Sequence, residues 1–173
     1  MRHKLAFIGP ECSGKTTLVE ALAKRLRLKW NSEYARRYAL EIGRELNVND
    51  VLKIGSGQFE NQRTYIRDHS NQNIGLFDTE LLSTLCYSKW YYQHHPMWLE
   101  DLIQGQGLFT YFLTYPDPEW KDDPSRAVGP SRLDMFSFFE EILKQRNIPF
   151  ILVKGSLEKR IEMTLDKIRE IQS

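Results

Sequence analysis

Eight consecutive residues, Gly9-Pro10-Glu11-Cys12-Ser13-Gly14-Lys15-Thr16, carry the most specific chemistry in the chain, because their spacing is G-x-x-x-x-G-K-[ST]. Glycines let the backbone fold back so that successive N–H groups point inward, at the start of a helix whose dipole already favours an anion. A triphosphate fits such a cradle. Lys15 can reach its β- and γ-phosphates as a mobile point charge, and the Thr16 hydroxyl is placed to help hold a Mg²⁺ bound to phosphate oxygens. The expected nucleotide contacts are Gly9, Glu11, Cys12, Ser13, Gly14, Lys15, Thr16 and Thr17. A glycine-rich turn that happens to contain a lysine is the bland alternative. The pattern needs a strand before it and a helix after it, and both are present: Leu5-Ala6-Phe7-Ile8 precedes, while Leu18, Ala21, Leu22 and Leu26 follow at helical spacing.

Further reactive groups recur where apolar runs end. Leu28 to Asn31 reads as a short second strand, followed by Ser32-Glu33-Tyr34-Ala35-Arg36-Arg37-Tyr38. In an open parallel sheet, ligands bind beyond the carboxyl ends of the strands, so a carboxylate, two guanidiniums and two phenols here suit a substrate. The same residues also suit the charged first turn of a helix, with Glu33 favouring its dipole, and the spacing leaves both open. A third strand, Ile74 to Phe77, ends in Asp78-Thr79-Glu80. An aspartate ending an apolar strand after a phosphate loop is suited to holding the magnesium ion with Thr16. Thr114 to Leu133 carries four prolines together with Arg126 and Arg132, and reads as a lid over roughly 115–133, although a solvated surface loop fits the same composition. Gly155-Ser156 turns the chain from a fifth strand into a last helix, where it can touch a nucleotide, cap the helix, or both.

These groups need a scaffold, and 173 residues suffice for one domain that buries a sizeable core. Strands and helices alternate, which predicts an α/β fold, a doubly wound, parallel, five-stranded sheet; with the phosphate loop first it resembles the P-loop kinase type, which implies that the helical region over roughly 33–102 is a substrate lobe. Asn49 to His69 is predicted to be helical, with Gly55-Ser56-Gly57 marking a bend or a close approach, after which Gln58 and Phe59 can face a pocket, the aromatic fitting the core as well. Leu81 to Leu102 reads as one aromatic-rich helical stretch. Its His94 and His95 are adjacent and point different ways, which argues against a metal site. Twenty-four basic and 23 acidic side chains leave a net charge of +1, so no overall basic field exists to bind nucleic acid. Two cysteines give no disulfide framework. With no apolar run of membrane-spanning length and no apolar leader before the first strand, a soluble cytoplasmic protein is expected.

The order of motifs resembles the ribosylnicotinamide kinase domain at the C-terminus of bacterial NadR-type proteins. The likeness rests on G-x-E-x-S-G-K-T at 9–16, Glu33-Tyr34-x-Arg36, Gly57-Gln58-Phe59, Phe77-Asp78-Thr79, His95-Pro96 and Asn147-Ile148-Pro149-Phe150. It implies a kinase that moves the γ-phosphoryl of ATP, with Mg²⁺, to the 5′-hydroxyl of nicotinamide riboside. In that frame Glu33, Tyr34, Arg36, Phe59 and Asp78 bind the riboside, Thr16 and Asp78 hold the metal, and Lys15, Arg126 and Arg132 stabilise charge. Glu33 or Asp78 accepts the hydroxyl proton. The sequence departs from the pattern at Ser32, where the family tends to place an aromatic residue, and Trp30 lies two positions earlier. The repressor and adenylyltransferase modules of full-length family members have no counterpart in these residues. A kinase for another nucleoside or nucleotide, and a nucleotide-dependent regulator, share the same phosphate loop and remain the rival readings.

Overall fold

The run Leu5-Ala6-Phe7-Ile8 alternates its side chains between two sides, and all four are fully buried, so the strand must be covered on both faces. The computed structural model, which describes residues 1–117 and 132–172, makes this strand, β1 (His3–Ile8), the centre of an all-parallel sheet. β2 (Trp30–Asn31), β3 (Ile74–Asp78), β4 (Thr110–Thr114) and β5 (Phe150–Val153) join it in the order β2-β3-β1-β4-β5. The helices among the described residues are α1 (Lys15–Leu26), α2 (Tyr34–Ile42), α3 (Asp50–Asp68), α4 (Leu81–Tyr92), α5 (Met97–Gly105), α6 (Arg132–Gln145) and α7 (Leu157–Gln172).

Strand periodicity decides which helix lies where. Leu5 and Phe7 face Leu18 and Leu22 of α1 and Leu165 and Ile168 of α7, and the Phe7 ring stacks on Phe112 at 5.0 Å. Ala6 and Ile8 face Leu82 and Leu85 of α4, Leu99 of α5, and Phe139 and Leu143 of α6. Each fully buried large apolar side chain contributes about 1.5–3 kcal/mol, so two such clusters fix the layers. The doubly wound sheet expected from the alternation is the observed fold. Register then sets the site: Phe7 pairs with Asp78 and Ile8 with Leu113, so the phosphate loop, Asp78 and Thr114 emerge at one level of the carboxyl edge.

The structure refines the sequence reading at several places, each for a local reason. β2 starts at Trp30 rather than Leu28, because Arg27 turns into the left-handed region and the Leu28 N–H bonds Ala23 O, closing the end of α1. The stretch 81–102 divides into α4 and α5, since Gln93 takes φ 50° and Pro96 stands just before Met97. Gly55 and Gly57 do not bend α3, which runs unbroken through both. They are there for close approach: a Cβ on Gly57 would lie 2.1 Å from Cζ of Tyr34, and one on Gly55 would lie 2.7 Å from the Trp98 ring. Gly57→Ala is therefore expected to destabilise the protein by about 1–3 kcal/mol. At about 2–4 °C per kcal/mol, calorimetry would see this as a lowered melting temperature, and an unchanged midpoint would show that the Tyr34 ring is not seated on this glycine.

Candidate active site

The phosphate loop owes its shape to residues that take its carbonyl oxygens. Lys15 Nζ donates to Gly9 O at 3.0 Å and to Pro10 O at 2.7 Å, and the Ser13 hydroxyl donates to Pro10 O at 2.8 Å. Tyr87 OH on α4 donates to Gly9 O at 3.0 Å, Arg132 Nη1 to Cys12 O at 3.2 Å, and Arg160 Nη1 to Ser13 O at 2.6 Å. With these carbonyls engaged, the loop's amides are left to line its inner side. Gly9 at φ 135° and Gly14 at φ 83° permit the turn, and Gly9 has a second reason to be glycine: a Cβ there would lie 2.8 Å from Thr114 O. Cys12 takes φ 52° without that freedom.

In front of the loop lies a cavity of about 1090 Å³, at the upper end of the roughly 300–1,000 Å³ usual for small-molecule sites. Glu11, Cys12, Ser13, Gly14, Lys15, Thr16 and Thr17 line it on the loop side, and Gly155 and Ser156 at the end of β5. Ser156 lines the cavity and also caps α7, its hydroxyl accepting the Lys159 N–H at 3.3 Å. Glu33 and Arg36, from the corner between β2 and α2, line the far side with Tyr87 and Tyr91. Burial first, then the nearby Glu11 carboxylate, push the Tyr87 and Tyr91 phenols up, Glu33 adding to the effect at Tyr87, so both rings present neutral hydroxyls.

Asp78 sits behind Thr16, whose hydroxyl donates to its Oδ2 at 2.6 Å. Its other oxygen, Oδ1, is buried with no hydrogen-bond partner, and the residue is 1% exposed. Burial, then the Glu33 carboxylate, push the Asp78 pKa up to about 7, against the opposing pull of Thr16, Lys15 and Arg36. An orphaned carboxylate oxygen beside a threonine hydroxyl is an all-oxygen set that fits a hard cation such as Mg²⁺. Glu80, two residues on, has a different duty: it is fully buried, caps α4 through the Leu82 and Ser83 N–H groups, and is pushed up to about 7 by burial.

Tyr34, Phe59 and Asp78, expected at the substrate, and Gly9, expected at the nucleotide, do not line the cavity. The Tyr34 ring packs over Gly57 with the Arg37 guanidinium 4.9 Å from its centre, and Phe59 is half-buried beneath Arg63. The cavity wall at that turn of α3 is Gln58 instead. Arg126, and most of the stretch expected to form a lid, lie outside the described residues. His95, read as no metal ligand, bonds Glu100 on α5.

The sequence reading missed Arg160. Its guanidinium is 2% exposed and donates to Ser13 O, Gly155 O and Tyr115 O and to the Asp117 carboxylate, joining the phosphate loop to the ends of β4 and β5. An arginine between the apolar positions Leu157, Ile161 and Leu165 of the last helix was the available signal. Thr114, whose hydroxyl lies 2.6 Å from that of Ser13, carried none.

The AAA domain family (AAA_28) matches residues 4–160. The chain belongs to that family. It is 27% identical over 158 residues to the trifunctional NAD biosynthesis/regulator protein NadR of Salmonella typhimurium, a match over 87% of this chain and 38% of the relative. The chain thus spans well under half the length of this curated relative. Among solved structures, NadR in complex with NR aligns over 98% of this chain and 50% of its own, with a TM-score of 0.81 and 19% identity. Thymidylate kinase from Ehrlichia chaffeensis aligns over 96% and 98%, with a TM-score of 0.71 and 14% identity. The resemblance to NadR-type proteins read from the motifs is borne out, as is the P-loop kinase type of sheet. Among the described residues no helix is long and apolar enough to cross a membrane.

The buried carboxylates set a pH dependence. Asp78 and Glu80 bind their protons more tightly folded than unfolded, so their contribution to stability is full below about pH 4 and is lost as pH rises towards about 7. Asp50, held by Arg44 well below the usual carboxylate range, and Glu100, lowered to about 2 by Arg146, oppose this only in more acid solution. The melting temperature of the nucleotide-free protein is expected to fall by several degrees between pH 4.5 and 7.5, and Asp78→Asn to flatten the slope. A midpoint that rises across this window would contradict the assignment.

Proposed function

We propose that the protein is a kinase that transfers the γ-phosphoryl group of ATP to the 5′-hydroxyl of nicotinamide riboside. One observation carries the reading: a single cavity is lined by the phosphate loop with Lys15 and Thr16 on one side and by Glu33 and Arg36 on the other, with Asp78 directly behind Thr16. That is the layout phosphoryl transfer needs, because catalysis there consists of aligning the attacking oxygen and neutralising charge on the transferred group. The choice of riboside is supported by the motif order and by the similarity to NadR.

The roles follow from position. Loop amides and Lys15 bind the β- and γ-phosphates, and Arg132 at the loop's rim adds positive charge, as Arg126 does in the motif-based assignment. Thr16 and Asp78 hold Mg²⁺, which when bound neutralises phosphate charge. Glu33 is the better candidate to take the hydroxyl proton, because it faces the cavity while Asp78 is committed to Thr16. Tyr87, Tyr91 and Arg36 shape the acceptor end, and domain-scale partners are expected to be only these small molecules.

The deciding experiment supplies Mg·ATP with nicotinamide riboside, thymidine, thymidylate or no acceptor, and follows labelled phosphate. Nicotinamide mononucleotide as the dominant product is the expected result. Transfer mainly to thymidine or thymidylate would make this a kinase of another specificity, and tight Mg·ATP binding with no transfer would make it a regulator. Glu33→Gln is expected to lower kcat by roughly 10²–10⁴-fold while leaving Mg·ATP affinity within about twofold, and normal turnover in this variant would remove Glu33 from the chemistry.

A further inference from the structure

Behind the cavity wall, three buried side-chain amides form a chain whose hydrogen bonds all run one way. The Tyr34 backbone N–H, the first after Glu33, donates to Gln58 Oε1 at 3.0 Å, and Gln58 Nε2 donates to Gln62 Oε1 at 3.1 Å. Gln62 Nε2 then donates to Gln106 Oε1 at 3.0 Å, and Gln106 Nε2 to Glu80 Oε2 at 2.7 Å. The two ends fix every amide between them. A backbone N–H can only donate, so Gln58 turns its oxygen to Tyr34; Glu80 accepts from the Leu82 and Ser83 amides and from Gln106, so Gln106 turns its nitrogen to Glu80. One arrangement is left for Gln62. At 2%, 2% and 9% exposure for Gln58, Gln62 and Gln106, an unmade bond anywhere along the line is costly, and aligned amides strengthen one another.

The ends of this chain are where the chemistry is. One is the residue after Glu33, and the other lies two residues beyond Asp78 in the turn that leads from β3 to α4. Glu33 needs such help, because its strand, β2, is two residues long and pairs only with β3, through Trp30 and Asn31. Side chains of α3 supply the missing hold: Gln58 Nε2 also donates to Asn31 Oδ1 at 3.4 Å, Asn31 Nδ2 to Asn61 O at 3.3 Å, and Asn61 Nδ2 to Ser32 O at 2.9 Å.

We propose that the Gln58–Gln62–Gln106 chain is a positioning device that holds Glu33 at a fixed distance from Asp78, with Gln62 and Gln106 acting at a remove, since neither lines the cavity. The claim rests on the reading of Glu33 as the proton acceptor for phosphoryl transfer. Gln62→Met keeps the length of the side chain and deletes both of its links. The variant is expected to lose about 10- to 100-fold in kcat for nicotinamide riboside, while the dissociation constant of Mg·ATP and acceptor-independent ATP hydrolysis change by no more than about twofold. Amide hydrogen exchange at Tyr34, read by NMR without any acceptor, should quicken at the same time. Should Gln62→Met not fold, Gln106→Met, nearer the surface, is the replacement. Unchanged kcat together with unchanged Tyr34 exchange in a folded variant would overturn the proposal, and so would a parallel loss of Mg·ATP affinity and melting temperature, which marks a general structural role. If the unaltered protein phosphorylates no riboside, the assigned reaction fails. Tyr34 exchange then decides only whether the amide chain holds the backbone beside Glu33, faster exchange supporting that hold and unchanged exchange refuting it.

Discussion

A carboxylate with an unsatisfied oxygen, buried at the end of a central strand, is the constraint to which the other parts of this structure answer. Removing a charge from water without pairing it costs several kcal/mol, and Asp78 pays this beside a second carboxylate. The fold tolerates it because β3 is clamped between β2 and β1 with both faces packed, leaving the side chain no route to solvent. Partial relief comes from the Thr16 hydroxyl and from the fields of Lys15 and Arg36. What is left over is the attraction that a hard cation bound with a polyphosphate would satisfy.

The phosphate loop shows the complementary principle. A cradle of N–H groups can face a ligand only if the carbonyls of the same peptide units are occupied elsewhere. Here Tyr87 takes one from α4, Arg132 one from α6 and Arg160 one from α7, while Lys15 and Ser13 use their own loop. The cavity is thus held by helices from both faces of the sheet. The loop and the opposite cavity wall share α4, whose Tyr87 hydroxyl bonds Gly9 O while the residue also lines the cavity.

Much of this was legible in the sequence, since the features concerned are local. The phosphate loop announces itself in eight residues, and alternation of apolar runs with amphipathic stretches suffices for the parallel sheet and for the placement of Glu33 and Asp78 at its carboxyl edge. Periodicity stops short where a residue's purpose lies in a distant partner. Gly57 looks like a helix breaker until the Tyr34 ring is seen against it. Tyr34 and Phe59 look like ligands until their rings are found between helices, and Gln62 and Gln106 look like ordinary polar residues until they line up with Gln58. Glu80 shares a turn with Asp78 and by spacing alone could have shared its role, yet its oxygens are taken by the start of α4.

Arg160 reaches Ser13 across 147 positions of chain. A ribosome that has just released the phosphate loop has therefore produced all of its residues without the guanidinium that anchors it, and contacts so far apart in sequence form late. The loop's set of anchors is complete only once α7 has emerged, which ties the shape of the cradle to the helix farthest from it in sequence.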